Sequence, residues 1–383
     1  ARQTYLLGYK KRHLMSWCSP AEFPFALRVC RTSGVGPLTF RQLQNIYPSA
    51  KLAAAAMPEL AKKGGRRGNF KLYALDACEK EIEQTHSLGG TFLVLGAPNY
   101  PAALSSIPDA PPVLSIYGNE TLLSRPMISI VGARNASAAG IQICQMVARG
   151  IAQRDLVIVS GLARGIDTIA HREALATGTI ACIANGADVF YPRENEKLQT
   201  AISKQGLLIC ENPPGTQPQA TQFPRRNRII FGLTMAVVVI EAAKRSGSLI
   251  TARLSNEYGR EVMAVPGSPI DPRSAGSNHL IRQGASLVET ADDIIEIISS
   301  QLNWSQFDAH AQSDLVPPSA PTVIDMTVRK TVFDLLGPTP VQIDKLHEIS
   351  SVPLPSLHMA LLELDLAGKL IRDEMGRVSL HDM

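Results

Sequence analysis

The sequence predicts an α/β protein: a parallel sheet covered by helices on both faces, with a small helical domain before it and a winged helix after it. Three observations predict this. From about Thr91 to Ser300, short apolar runs alternate with helical patterns, as in a parallel sheet whose strands are joined by crossover helices. Residues 1–85 carry helical patterns. Residues 326–383 give three helical stretches and then two short strands about a turn, which is the element order of a winged helix.

In the first region, Gly34-Val35-Gly36-Pro37 interrupts two helical patterns, 25–32 and 38–46. A G-x-G turn between short helices is similar to helix-hairpin-helix and sterile-alpha-motif units, in which the turn's N–H groups meet phosphate. It suits a tight turn in a small helical bundle equally well. Residues 1–85 hold 14 Lys/Arg against 6 Asp/Glu. Within them, Lys62-Lys63-Gly64-Gly65-Arg66-Arg67 is a basic run, read either as a nucleic-acid contact or as a solvated loop.

The expected strands are 92–95, 113–117, 127–131, 156–159, 180–183, 207–209, 235–240, 261–265 and 286–288. Helices are expected between most of them, notably 138–153, 166–176 and 249–258. Ligands of such sheets sit at the carboxyl ends of the strands, near the point where strand order reverses. Residues 311–322 contain three prolines and read as a linker. Beyond it, 327–336, 343–349 and 355–367 read as helices, and 370–372 and 377–380 as a hairpin around Glu374-Met375-Gly376. The third of these helices carries Glu363 and Asp365 and almost no positive charge. Phosphate contacts need Lys or Arg, so a protein-interaction role is expected of it rather than DNA reading. The expected division is 1–85, 86–310, a linker at 311–325, and 326–383.

Composition narrows the class. Hydrophobic content of 45% and charged content of 19% describe an ordinary globular protein, and no apolar run is long enough to span a bilayer. The six cysteines are scattered without a C-x-x-C pair, which suits reduced, buried, cytosolic thiols and neither zinc nor disulfides. A cytoplasmic location is expected, with no membrane association and no metal. The first residues lack a signal-peptide pattern, and since the chain does not begin with Met its natural start is expected upstream.

The chemistry-bearing motifs lie at expected strand ends. In SIVGARNASAAG (129–140), Gly132 is read as letting backbone approach a ligand, Arg134 as a phosphate clamp, and Ser137 as a helix cap. In VSGLARGID (159–167), Ser160, Gly161 and Gly165 form a glycine-bearing turn between strand and helix, which would aim free N–H groups at a phosphate. Asp167 reads as a structural cap in preference to a catalytic carboxylate, and His171, four residues on, as a helix-surface hydrogen-bond partner rather than half of a dyad. TQFPRRNRIIFG (221–232) places Arg225, Arg226, Asn227 and Arg228 beside Phe223, the one local cluster of positive charge in the middle domain. Cations next to an aromatic suit single-stranded nucleic acid. Ser246, Gly247 and Ser248, after a buried strand ending at Glu241, form a further anion cradle. No nucleophile with a credible base accompanies these loops: G-x-S-x-G, a Walker A lysine loop and H-E-x-x-H are all missing.

In their order and spacing, SIVGARNAS, SGLARGIDTIAH, FPRRNRII, EAAKRSGSLITA, VPG and GSNHLIRQGA resemble the DprA/Smf family of DNA-processing proteins. The resemblance covers nearly the whole chain. It implies an extended Rossmann-like sheet domain between a helical N-terminal domain and a C-terminal winged helix. It also implies single-stranded DNA binding on the sheet domain, homodimerisation through that domain, protection of incoming strands during natural transformation, and loading of RecA, with no catalysis and no cofactor. Arg134, Gly161, Gly165, Arg226, Asn227, Ser246, Gly247 and Ser248 would line the DNA pocket, and loss of Arg226 would weaken binding to all sequences alike.

Two enzyme readings compete. A Rossmann-type nucleotide phosphoribohydrolase carries a PGGxGTxxE-like loop, but Ser246-Gly247-Ser248-Leu249-Ile250-Thr251 has no following Glu. A dinucleotide-dependent oxidoreductase needs an acidic residue about 20 residues beyond a full glycine fingerprint, whereas the region around Arg149–Arg154 is basic.

Overall fold

The computed structural model describes residues 16–244, 246–302, 324–373 and 376–381. The linker expected at 311–322, and Glu374 and Met375 of the expected turn, lie outside these. Among the described residues the chain forms two compact units: one of 16–82, 96–98 and 324–381, the other of 83–95 and 99–302.

Both ends of the chain build the first unit. Helices α1 (Phe23–Arg31), α2 (Pro37–Ile46) and α3 (Ala50–Lys63) open it, and α4 (Leu75–Ser87) follows. Each of the first three buries one apolar face. Arg31 grips Glu81 of α4 at 2.6 Å.

The second unit holds nine strands in one sheet: β1 (Gly90–Val94), β2 (Val113–Gly118), β3 (Met127–Gly132), β4 (Val157–Ser160), β5 (Thr179–Ile183), β6 (Leu207–Cys210), β7 (Ala236–Ile240), β8 (Glu261–Ala264) and β9 (Ser286–Leu287). The connecting helices are α5 (Ala102–Ser105), α6 (Ala138–Ala152), α7 (Ile166–Ala174), α8 (Glu196–Gln205), α9 (Gln222–Leu233), α10 (Gly247–Glu257) and α11 (Ala275–Arg282), and α12 (Ala291–Leu302) ends the unit. Strand order is β1-β2-β6-β5-β4-β3-β7-β8-β9. From β6 to β9 all neighbours are parallel. Fully buried strands such as β5 and β7 are covered on both faces by apolar clusters, which is why they read as unbroken apolar runs.

The sheet is mostly parallel, as expected, with one strand reversed. β2 runs antiparallel to both β1 and β6. A parallel pairing needs a crossover of a dozen or more residues, usually a helix. The eighteen residues between β1 and β2 (95–112) hold only the four-residue α5, too short to serve as a crossover helix over the sheet, and the two strands pair as antiparallel neighbours.

The chain leaves β3 through β4 and β5 to β6, then returns to the other side of β3 with β7. The strand order therefore reverses between β3 and β7, and the loops after β5, β4, β3 and β7 are neighbours at one sheet edge.

Back in the first unit, α13 (Met326–Leu335), α14 (Ile343–Ser350), α15 (Leu354–Leu366) and the hairpin β10 (Leu370–Arg372) and β11 (Val378–Leu380) form the winged helix. α15 is apolar on most faces and buries Leu357, Leu361, Leu362 and Glu363 among others, as a helix enclosed all round must. The N-terminal helices cover it. Thr39 donates to Asp365 at 2.7 Å. A methyl group at Gly64 would stand 1.9 Å from the Glu363 carbonyl oxygen, so glycine sets how closely the end of α3 approaches α15. The helix that would enter a DNA groove is thus part of a core shared with the N-terminal helices.

Candidate nucleic-acid interface

Arg134, Gly161, Phe223 and Arg226 meet over the carboxyl ends of β3, β4 and β5, where they line a cleft of about 380 Å³. Asn135, residues 162–164 and 183–185, Tyr191 and Pro192 complete the wall. Arg134 is exposed, and its guanidinium lies 5.6 Å above the Phe223 ring centre. Tyr191 flanks the same ring with centroids 5.5 Å apart. Arg134 has no ion-pair partner among the described residues, while Arg164 faces Glu194 at 2.7 Å in an exposed pair of little net worth.

The turn after β4 is not the open N–H cradle that its glycines suggested. Asp167 Oδ2 accepts from the N–H groups of Gly161 (3.1 Å) and Ala163 (3.3 Å), and the Ile166 N–H donates to the Ala133 carbonyl at 3.2 Å. A carboxylate in the first turn of α7 already occupies the place where a helix start favours an anion. The same happens beside β7. Glu241, held at φ 51°, accepts from the Ser137 N–H at 2.8 Å and from the Ser137 hydroxyl, at the start of α6. Two of the chain's own carboxylates therefore consume the donors that might have held phosphate.

Several expected contacts are structural for the same reason of packing. A methyl at Gly132 would lie 1.9 Å from the Ile240 carbonyl, so the β3–β7 contact by itself requires this glycine. Gly165 has φ +74°, and its added methyl would lie 2.2 Å from the Ala133 carbonyl. Ser160 is fully buried and donates to the Ile130 carbonyl at 2.6 Å. Ser248 donates to the Gly132 carbonyl at 2.9 Å, the Ser246 hydroxyl is buried without a hydrogen-bond partner among the described residues, and Gly247 is exposed. None of these, nor Arg225 or Asn227, lines the cleft.

The arginine cluster also divides. Arg225 is exposed, but Arg228 is buried between Glu211 (2.7 Å) and Asp109 (3.3 Å). Arg226 is only 7% exposed. Its Nη1 donates to the Gly161 carbonyl at 2.6 Å and to the Cys182 carbonyl, and its Nε donates to Asn227 Oδ1 at 3.2 Å. A methyl at Gly161 would stand 2.7 Å from Arg226 Nη2 and 2.9 Å from Asp167 Oδ2, so Gly161 is what lets cation and carboxylate close on the turn from two sides. Burial pushes the Asp167 carboxyl up, and Arg226 with the two N–H donors pulls it back. Arg226 thus organises the cleft from beneath.

His171 is neither on the helix surface nor paired with Asp167. It is fully buried, with Nδ1 at 2.7 Å from Thr179 Oγ1. The Thr179 hydroxyl gives its single proton to the Ile158 carbonyl at 2.9 Å, so His171 Nδ1 must be the donor and Nε2 is left as a bare, unpartnered acceptor. Burial, with Arg226 adding to it, holds the imidazole neutral and lowers its pKa from 6.5 to about 3. Below pH 6.5 the unfolded chain takes up a proton that the folded chain refuses. Stability supplied by the neutral ring is therefore complete above that value and is lost as pH falls toward 3. We expect urea unfolding between pH 7 and pH 5 to show a stability loss about 2 kcal/mol smaller in His171→Asn than in the parent. Equal losses in both would contradict the neutral assignment.

Comparison with known proteins agrees with this architecture. Residues 91–299 match the family model described as DNA recombination-mediator protein A, 22–83 match the DprA-like N-terminal HHH domain, and 316–374 match the DprA winged helix domain. The chain is 49% identical over 198 residues to DNA processing protein DprA of Streptococcus pneumoniae, covering 51% of this chain and 70% of that protein. The X-ray structure of DNA processing protein A from Streptococcus pneumoniae is similar with a TM-score of 0.63 at 36% identity, over 71% of this chain and 97% of that one. A Helicobacter pylori DNA processing protein A, whose structure is described for its single-stranded DNA binding mode, is similar with a TM-score of 0.51 at 29% identity, over 55% and 96% of the two chains. With more than half its residues inside the central family model and both flanking domains matched, the chain belongs to the DprA family of recombination-mediator, DNA-processing proteins.

Proposed function

We propose that this protein binds single-stranded DNA in the cleft of Arg134, Phe223 and Tyr191 and acts there without catalysis, protecting incoming strands and loading RecA onto them during natural transformation. One observation carries the reading: an exposed guanidinium, without an ion-pair partner among the described residues, lies over Phe223, which Tyr191 flanks, in the lining of a cleft. Cations meet phosphates and aromatic faces meet unpaired bases, which is how single strands are held without sequence reading. The binding mode described for the Helicobacter pylori relative supports it. Asp167 and His171 are both buried, and each is bonded to other groups, which supports holding over reacting. A homodimer formed through the sheet domain, a cytoplasmic location and the division at 1–85, 86–310, 311–325 and 326–383 belong to the same proposal.

Titration of a labelled single strand and its duplex at two salt concentrations tests it. We expect the single strand to bind more tightly and its affinity to fall as salt rises, because bound cations displace counterions from phosphates. Equal affinity for duplex and single strand, or release of free base from nucleoside monophosphates, would overturn it.

A further inference from the structure

The first unit contains a second cleft, of about 490 Å³, between the end of α3, the start of α13 and the end of α15. Its walls are apolar: Met326, Phe333, Ala360 and Leu364 line it. Its rim is cationic. Lys63, Lys330 and Lys369 surround it, and none has an ion-pair partner among the described residues. The one carboxylate in the lining, Glu363, is buried and spent on a two-pronged grip from Arg329, at 2.6 and 3.0 Å. Met326 is 76% exposed at the edge, far more than a methionine with only a packing role. Gly64 and Gly65 bring α3 close enough to close one side.

We propose that this cleft is a docking site for an acidic peptide segment of a partner protein, one that carries a bulky apolar side chain between carboxylates. The inference stands apart from the DNA-binding cleft. A concave apolar floor of this size accepts one or two hydrophobic anchors. Three lysine ammonium groups around it complement carboxylates on either side of the anchor, and they discourage basic or neutral segments. A nucleic acid fits less well. The only aromatic ring in the lining is Phe333, with no second ring beside it as Tyr191 stands beside Phe223, so the stacking surface for bases is small. The arginine in the lining is taken by Glu363. Enclosure of α15 by the N-terminal helices removes the usual groove-reading surface of a winged helix and builds this cleft in its place.

The test uses the full chain and a labelled peptide, Asp-Asp-Phe-Leu-Asp-Asp, with fluorescence anisotropy as readout. A peptide with alanines for Phe and Leu, one with lysines for the aspartates, and a labelled oligothymidylate serve as comparisons. We expect the acidic apolar peptide to bind and both peptide controls to fail. Lys63→Glu with Lys330→Glu, both exposed, should weaken the peptide about tenfold while leaving oligothymidylate affinity within about twofold. Met326→Asp should weaken the peptide while leaving the thermal midpoint unchanged. The proposal is overturned if the peptide does not bind, if it binds the charge-reversed protein as well as the parent, or if the double substitution lowers oligothymidylate affinity instead. The last result would assign the cleft to nucleic acid. Failure of oligothymidylate to bind the parent would count against the DNA cleft alone.

Discussion

Replacing Arg226 with alanine should destabilise the fold by about 3–5 kcal/mol, the cost of removing one partner from a buried, hydrogen-bonded charge. The loss has identifiable parts. The Gly161 and Cys182 carbonyls lose their donor, and the Asp167 carboxylate loses the cation that offsets its burial. The turn after β4 would then be held only by the Asp167 bonds to Gly161 and Ala163. DNA binding should weaken as a consequence of that loosening. A urea midpoint for Arg226→Ala equal to the parent's, together with lost binding, would instead make Arg226 a direct phosphate contact.

The second large effect runs the other way. Arg134→Ala should weaken single-strand binding about tenfold or more, the scale of a charge-assisted hydrogen bond lost. It should leave stability within about 1 kcal/mol, because an exposed side chain with no ion-pair partner among the described residues contributes little to the fold. Phe223 would lose the cation above its ring, a contact worth about 0.5–1 kcal/mol at an exposed site. Arg134 is therefore expected to act on binding with little effect on the fold, and Arg226 on the fold first and on binding through it, although the sequence alone places both in the same role.

That separation shows what was legible in the sequence. The strands were, because a strand buried on both faces needs an unbroken apolar run, as 236–240 has. The reversed direction of β2 was not, since its residues are as apolar as its neighbours' and its second partner, β6, comes from a distant part of the chain. The glycines carry a second, structural requirement that the sequence does not separate from the first. Gly132, Gly161 and Gly165 follow strand ends at a spacing that suits an anion cradle, yet close packing of Ile240, Arg226 and Ala133 demands the same residue. Asp167 carried the signal that the cradle was already filled, since a carboxylate in the first helical turn competes with any phosphate. Arg225, Arg226 and Arg228 look alike in sequence. Which of them is buried depends on Gly161, Cys182 and Glu211, which come from distant strands and loops. Tyr191 joins Phe223 across the cleft from a loop 32 residues away, and its only sequence signal was an aromatic before a proline.

Arg134, over Phe223, is proposed as a phosphate contact for single-stranded DNA. The most direct test of that contact is the dependence of oligothymidylate affinity on salt, measured for the parent and for Arg134→Ala. Loss of one phosphate contact should lower the slope of log affinity against log salt by about 0.7, with weaker binding at every salt concentration and an unchanged thermal midpoint. An unchanged slope and unchanged affinity in Arg134→Ala would contradict that assignment.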